Sequence, residues 1–231
     1  MMLRACLALL LSPLTGVTAL AAEPNRLTAA ESAAGWKLLF DGRSLDGWRG
    51  FRTDAPGAGW HVAGGVLMTS GNAGDLMTKG VYGDFELSFE WRVRAAGDSG
   101  VIYRIGLGEA ATFRTGPEYQ ILDNVGAEDN QRPNHLAGSL YDLGPAPAKD
   151  ATKPVGEWNS ARFVIRGWRI EHWLNGEKLL EMDLSSPEGR AAIAKSEFKD
   201  WPKFASFPRG FIALQDHGHV VSFRSIKIRE L

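Results

Sequence analysis

The sequence predicts an all-β fold, a sandwich of two antiparallel sheets carrying one or two short helices, and three observations predict it. Phe85 to Arg94 alternates strictly, with Phe85, Leu87, Phe89, Trp91 and Val93 on one face and Glu86, Ser88, Glu90, Arg92 and Arg94 on the other, the pattern of a strand with one buried face. Asn175-Gly176 separates two β-like runs, Arg169 to Leu174 and Glu177 to Asp183, as a two-residue type I′ hairpin turn does. Short runs of this kind recur along all 231 residues, marked off by turns drawn from 27 glycines, with few helical segments between them.

Taken in order, the chain opens with the pattern of an export signal over residues 1–21. Arg4 supplies the positive end, Leu7 to Leu20 is mostly apolar, and Ala19-Leu20-Ala21 is a small-x-small cleavage site. Pro13 and Gly16 interrupt the apolar run, so a permanent membrane span is not expected. The single cysteine, Cys6, falls inside this leader, so the mature chain, 22–231, is expected to be one exported, periplasmic or secreted domain without thiol or disulfide. Leu27 to Gly35 reads as a short helix capped by Thr28 and Glu31. Strand-like pieces follow at Trp36 to Phe40 and, around Gly64-Gly65, from Trp60 to Met68. Val125 to Pro154 is a long Gly/Pro/Asn-rich loop, the kind that is either functional or disordered. Ser185 to Ser196 reads as the main helix, capped by Ser185 and Glu188. Phe211 to Gln215 and Val221 to Ile228 close the chain as strands, and a parity change between Phe223 and Ile226 marks a bulge in the last.

Composition excludes some function classes. Lys and Arg total 26 against 27 Asp and Glu, so no basic excess points to nucleic acid. Eight tryptophans supply core and also flat platforms for the apolar faces of sugars. Phosphate-binding loops, nucleophile elbows and zinc-protease signatures are missing.

The chemistry-bearing stretch is Asp98 to Asn124. Within it Glu118 and Gln120 are two residues apart on a strand, so both point to one face while Tyr119 and Ile121 point to the other. Such a pair can hydrogen-bond a sugar-like ligand, and its carboxylate can move a proton. EYQILD also invites comparison with the E-x-D-x-x-E signature of laminarinase-type glucanases. Gln120 replaces the middle acid, however, and the odd spacing of Glu118 and Asp123 turns them to opposite faces, which disfavours a two-carboxylate retaining mechanism. His217 and His219 sit in a Gly-containing turn, where surface or capping roles are expected, and His172 reads as a sheet-surface residue.

The ordered segments GWKLLFDGRSLDGW (35–48), YGDFELSFEWRV (82–93), SGVIYRI (99–105), EYQILDN (118–124), GEWNSARFVI (156–165), HWLNGEKLLE (172–181) and GFIALQDHGHVVSFRSIKI (210–228) resemble the 3-keto-disaccharide hydrolase family across nearly the whole mature chain. The departures are Arg224-Ser225, where the family more often has Arg-Asn, and Pro117 ahead of Glu118. The resemblance implies a concanavalin A-like jelly roll and an enzyme, a hydrolase or lyase, acting on glycosides that a separate oxidoreductase has oxidised at C3. A C3 ketone acidifies the C2 hydrogen, so such a site needs a base near C2, donors around the C3 oxyanion and an acid at the leaving oxygen. A divalent cation is a further candidate for the oxyanion role.

Carried over to this chain, the resemblance implies catalytic roles for Glu118, His135 and His217, with a histidine as base or acid and Glu118 as the alternative base. It implies substrate contacts from Arg104, Gln120, Asp123, Tyr141, Gln215 and Asp216 on a concave face. Two readings compete with an enzyme. A lectin-like sugar-binding jelly roll keeps the same polar face without catalysis, whereas a structural envelope protein has no polar cleft.

Overall fold

A computed structural model describes residues 23–145, 147 and 149–231; the expected leader lies outside the described residues. In chain order the strands are β1 (Lys37–Leu38), β2 (Trp48–Gly50), β3 (Trp60–Ala63), β4 (Val66–Thr69), β5 (Leu76–Thr78), β6 (Phe85–Val93), β7 (Asp98–Ile105), β8 (Glu118–Leu122), β9 (Asn159–Arg166), β10 (Arg169–Leu174), β11 (Glu177–Asp183), β12 (Phe211–Leu214) and β13 (Val221–Glu230). Two α-helices accompany them, α1 (Ala29–Ala33) and α2 (Pro187–Lys195). The larger sheet runs β11-β10-β9-β6-β13-β4-β3, with β1 also on β13, and the smaller runs β2-β5-β12-β7-β8. Every pairing in both is antiparallel, which is the predicted jelly-roll sandwich. None of the described helices is long and apolar enough to cross a membrane.

The alternation read in β6 is what joins the layers. Phe85, Leu87, Phe89, Trp91 and Val93 are buried against Tyr103 of β7 and Tyr119 and Ile121 of β8. Phe89 meets Tyr119 edge-on at 5.7 Å between centroids, and Phe163 of β9 stacks on Tyr119 at 5.8 Å. Each such aromatic contributes roughly 1.5–3 kcal/mol by leaving water. On the outer face of the larger sheet Arg224 pairs with Glu90 at 2.9 Å and lies over Trp158. Cations laid on half-exposed indoles make this a solvated face.

The bulge in the last strand falls where the parity change put it, as a register shift between Arg224 and Lys227 with Ser225 at φ 55°. The first helix carries the expected Thr28–Glu31 capping box. Three local expectations are corrected. Ser186, not Ser185, caps α2, its hydroxyl accepting from Gly189 N–H, because Ser185 is held by Asp183. The piece from Trp36 to Phe40 pairs only over Lys37–Leu38. His172 lies in the core rather than on the sheet surface, because β10 buries Ile170, His172 and Leu174 together.

His172 is held there by polar partners. Its Nδ1 faces Gly138 O at 3.0 Å and its Nε2 faces the Tyr103 hydroxyl at 3.3 Å, while the ring packs on Tyr119 at 4.7 Å. Burial lowers its pKa from 6.5 to about 4. The unfolded chain takes up this proton below 6.5 and the folded chain resists it to about 4. Stability therefore falls as pH drops through that window, by roughly 3 kcal/mol from this group. Urea melts across the window are expected to show the loss, and His172→Phe is expected to flatten it even where its absolute stability is lower.

Candidate active site

The site is built on the outward side of the smaller sheet, from its last strand. In β8 the parity read from sequence holds: Tyr119 and Ile121 enter the core, and Glu118 and Gln120 face away from it. Register sets Glu118 opposite Ile102 and Gln120 opposite Gly100 on β7. Gly100 is what lets Glu118 lie flat there, since a β-carbon at residue 100 would run into its carboxyl. The same face of β7 begins with Asp98, and the chain past β12 adds Gln215 and His217.

The long loop completes the site through backbone bonds. Gly138 N–H donates to Gln120 O (2.8 Å), Gln120 N–H to Ser139 O (3.2 Å) and Tyr141 N–H to Glu118 O (3.1 Å). Residues 138–141 thus run along β8 and carry Tyr141 to the cavity, which has a volume of about 150 Å³. Asp129 enters from the short 3-10 turn Glu128–Gln131, and Glu197 and Phe198 from the turn after α2.

Four carboxyl groups, Asp98, Glu118, Asp129 and Glu197, therefore share one small cavity, with Asp75 behind it. Glu118 is 7% exposed, and burial, followed by the charges of Asp98 and Asp75, raises its pKa well above the usual carboxyl range. With the Gln120 amide turned to satisfy its neighbours, its nitrogen donates to Ser99 O (3.1 Å) and Glu118 Oε1 (3.2 Å). Gln215 Nε2 donates to Glu118 Oε2 at 3.4 Å, while Gln215 Oε1, buried, has no partner among the described residues. An orphaned buried acceptor on a cavity wall fits a ligand hydroxyl.

His217 sits at the mouth with its side chain 56% exposed and its Nδ1 3.2 Å from Asp98 Oδ2. The bond to Asp98 is the chief cause that raises its pKa. Tyr141 stays protonated: burial and then the Asp129 carboxylate push its pKa upward. An imidazole paired with a carboxylate, a carboxyl that retains its proton and a phenolic donor form a set able to move protons in opposite directions across one ligand.

The other sequence candidates lie elsewhere. His135 is buried behind the cavity, its Nδ1 2.8 Å from Asp129 and its Nε2 3.2 Å from Asp142, its ring on Tyr141 at 4.2 Å. Arg104 does not reach the site. A left-handed residue at φ 54° in β7 turns its guanidinium to donate to Gly83 O (3.1 Å) and Asp84 (3.0 Å) and lays it over Trp168. Asp123 accepts from Ala96 N–H (2.8 Å) and Val125 N–H (3.1 Å), tying the strand end rather than facing the cavity. Asp216 accepts from Ala73 N–H and from Gly218 N–H (3.0 Å), so it braces the neighbouring loop. Among the described residues no three His, Cys, Asp or Glu side chains are grouped to hold a metal ion.

Sequence reasoning missed Asp98, Asp129, Glu197 and Phe113. The parity of Asp98 with Gly100 would have found the first, whereas the others come from short turns without periodicity.

Residues 35–229 match the family described as the 3-keto-alpha-glucoside-1,2-lyase-like domain. A 3-keto-disaccharide hydrolase of Bacteroides thetaiotaomicron is 32% identical over 246 aligned residues, spanning 91% of this chain and 83% of that protein. A crystal structure of a Parabacteroides distasonis protein described as a glycosyl hydrolase superposes with a TM-score of 0.85 at 32% identity, covering 90% of this chain and all of that one. A Bacillus subtilis protein with a galectin-like fold shares the architecture alone, with a TM-score of 0.53 at 10% identity over 81% of this chain and 92% of its own.

Glu118 sets a test of how the site is held. Its raised pKa means that the folded chain keeps a proton the unfolded chain releases, so its contribution to stability is full below the unfolded value of about 4.5 and is lost as pH rises through the folded one. Glu118→Gln keeps the shape and removes this loss. Thermal melts are expected to show the variant gaining on the parent as pH rises above about 4.5.

Proposed function

The chain belongs to the 3-keto-alpha-glucoside-1,2-lyase-like family and is a glycosidase-type enzyme, and from that premise we propose that it cleaves glycosides already oxidised to a ketone at C3 of the sugar. The observation that carries this reading is one cavity holding a proton-retaining carboxyl, Glu118, across from an imidazole, His217, braced by Asp98.

In the proposed reaction His217 Nε2 takes the C2 proton, which the C3 ketone has acidified, and Asp98 stabilises the imidazolium through Nδ1. The released electron pair moves into C2–C3 and leaves charge on the C3 oxygen, which the Tyr141 hydroxyl meets as a donor. Collapse of this enolate restores the ketone and breaks the bond from C1 to the leaving oxygen, which receives the Glu118 proton. The product is a C1–C2 enone and a free aglycone. Water adding at C1 completes a net hydrolysis, and stopping earlier gives a lyase. Gln215 Oε1 accepts a sugar hydroxyl, and His135 acts as a positioning residue for Asp129 and Tyr141. The reading includes export through the leader at 1–21 and a separate oxidoreductase that supplies the keto-sugar.

Purified protein incubated with 3-keto-glucosides is expected to release aglycone, and none from the unoxidised parents. Release from the parents alone would overturn the reading. Glu118→Gln is expected to fold and to lose about 10²–10⁴ in kcat, with KM little changed.

The pH profile gives a second test. Asp98 raises both His217, through its hydrogen bond, and Glu118, through its charge. Asp98→Asn lowers both together, so the whole bell-shaped profile of kcat/KM is expected to move to lower pH. A fixed profile would remove Asp98 from this role.

A further inference from the structure

The cavity of about 150 Å³ is small against the ~300–1,000 Å³ of sites that enclose a drug-sized ligand, so it takes about one sugar ring and leaves the rest of a glycoside outside. Two ways lead out. His217, Asp98 and Asp129 also border a second recess, whose remaining walls are Ala96, Glu128 and His219. On the other side the cavity is walled by Phe113 and Phe198. Glu118 lines the cavity with Phe113 and Phe198 and does not border the second recess, whereas His217 borders both.

That aromatic wall continues outward. Phe113, 38% exposed, packs on Trp201 at 5.7 Å, and Trp201 on Phe198 at 5.3 Å. Phe198 stacks on Phe204 at 4.1 Å, which fixes it from behind. Arg114 lies over the Trp201 ring at 4.3 Å and holds the indole in place. Phe113 is thus a large apolar side chain left facing solvent at the rim of a polar, acidic cavity, on a rigid aromatic support.

We propose that Phe113, Phe198 and Trp201 form the leaving-group subsite, and that it takes an aglycone presenting a flat apolar face, an aryl ring or the C–H face of a second sugar. The assignment of this side to the leaving group rests on the proposed role of Glu118 as acid. Flat faces stack on aromatic rings with a gain beyond area alone, whereas a small alkyl aglycone cannot cover the platform.

The test compares 3-keto-glucosides with phenyl, glucosyl and methyl aglycones on the parent, Phe113→Ala and Phe113→Leu. In Phe113→Ala the ratio of kcat/KM for the phenyl or the glucosyl substrate over the methyl substrate is expected to fall about tenfold, with Phe113→Leu between the two. Whichever ratio falls identifies the source of the flat face. Both ratios staying within about twofold of the parent's would overturn the proposal. If no keto-glucoside is cleaved, the catalytic reading fails and the platform is judged by binding alone. Phenyl glucoside is then expected to perturb Trp fluorescence at lower concentration than methyl glucoside, a preference that Phe113→Ala abolishes; no preference in the parent overturns the platform as well.

Discussion

Antiparallel sheets must deal with their outermost strands, because a bare edge offers unpaired N–H and C=O groups to any passing chain. In the smaller sheet that edge is β8, and residues 138–141 cover it with the three backbone hydrogen bonds that also set Tyr141 beside Glu118. The same stretch reaches the core, since Gly138 O accepts from the buried His172 ring. Gly138 has φ 85°, a left-handed backbone that favours glycine, and a β-carbon there would also push on the tip of the Leu179 side chain. Edge coverage, core polar satisfaction and site assembly are therefore one event. A change that frees the loop exposes an edge, strands a histidine and opens the cavity together.

The site concentrates like charge in a place where charge is expensive. Glu118 is buried among carboxylates, and two glutamine amides face its oxygens instead of a lysine or arginine. A cation there would have held the carboxylate ionised. Neutral donors favour the charged form far less than a cation would, so burial and the neighbouring carboxylates still push its pKa up. Arg104, a strand neighbour that would have reversed this logic, is turned away by its own left-handed backbone and spends its donors on Gly83 and Asp84. The structure thus keeps a destabilising arrangement where chemistry needs it and neutralises other buried charges in pairs, as with Glu86 between Arg162 and Arg229.

What was legible in the sequence followed from periodicity. The alternation of β6, the Asn175-Gly176 turn, the bulge in the last strand and the opposed faces of Glu118 and Tyr119 all depend on a two-residue repeat, which the chain carries locally. The same rule applied to Ile170, His172 and Leu174 points His172 inward, against the surface position expected from its polarity. Arg104 shows the opposite failure, since a left-handed residue breaks the repeat at that point and nothing in the flanking residues announces it.

By itself, then, the sequence determined a two-sheet antiparallel sandwich, the family, and the strand that presents a glutamate and a glutamine away from the core, because each is written in short-range alternation or in ordered motifs. Only the tertiary structure decided which polar residues share the cavity. Asp98 comes from the start of one strand, Asp129 and Glu197 from separate turns, and His217 from the far end of the chain, so their meeting depends on sheet order and loop path. It also decided their charge states, since burial and neighbouring carboxylates raise Glu118 and the Asp98 contact raises His217. Such contacts join residues up to a hundred or more positions apart, and no local pattern encodes them.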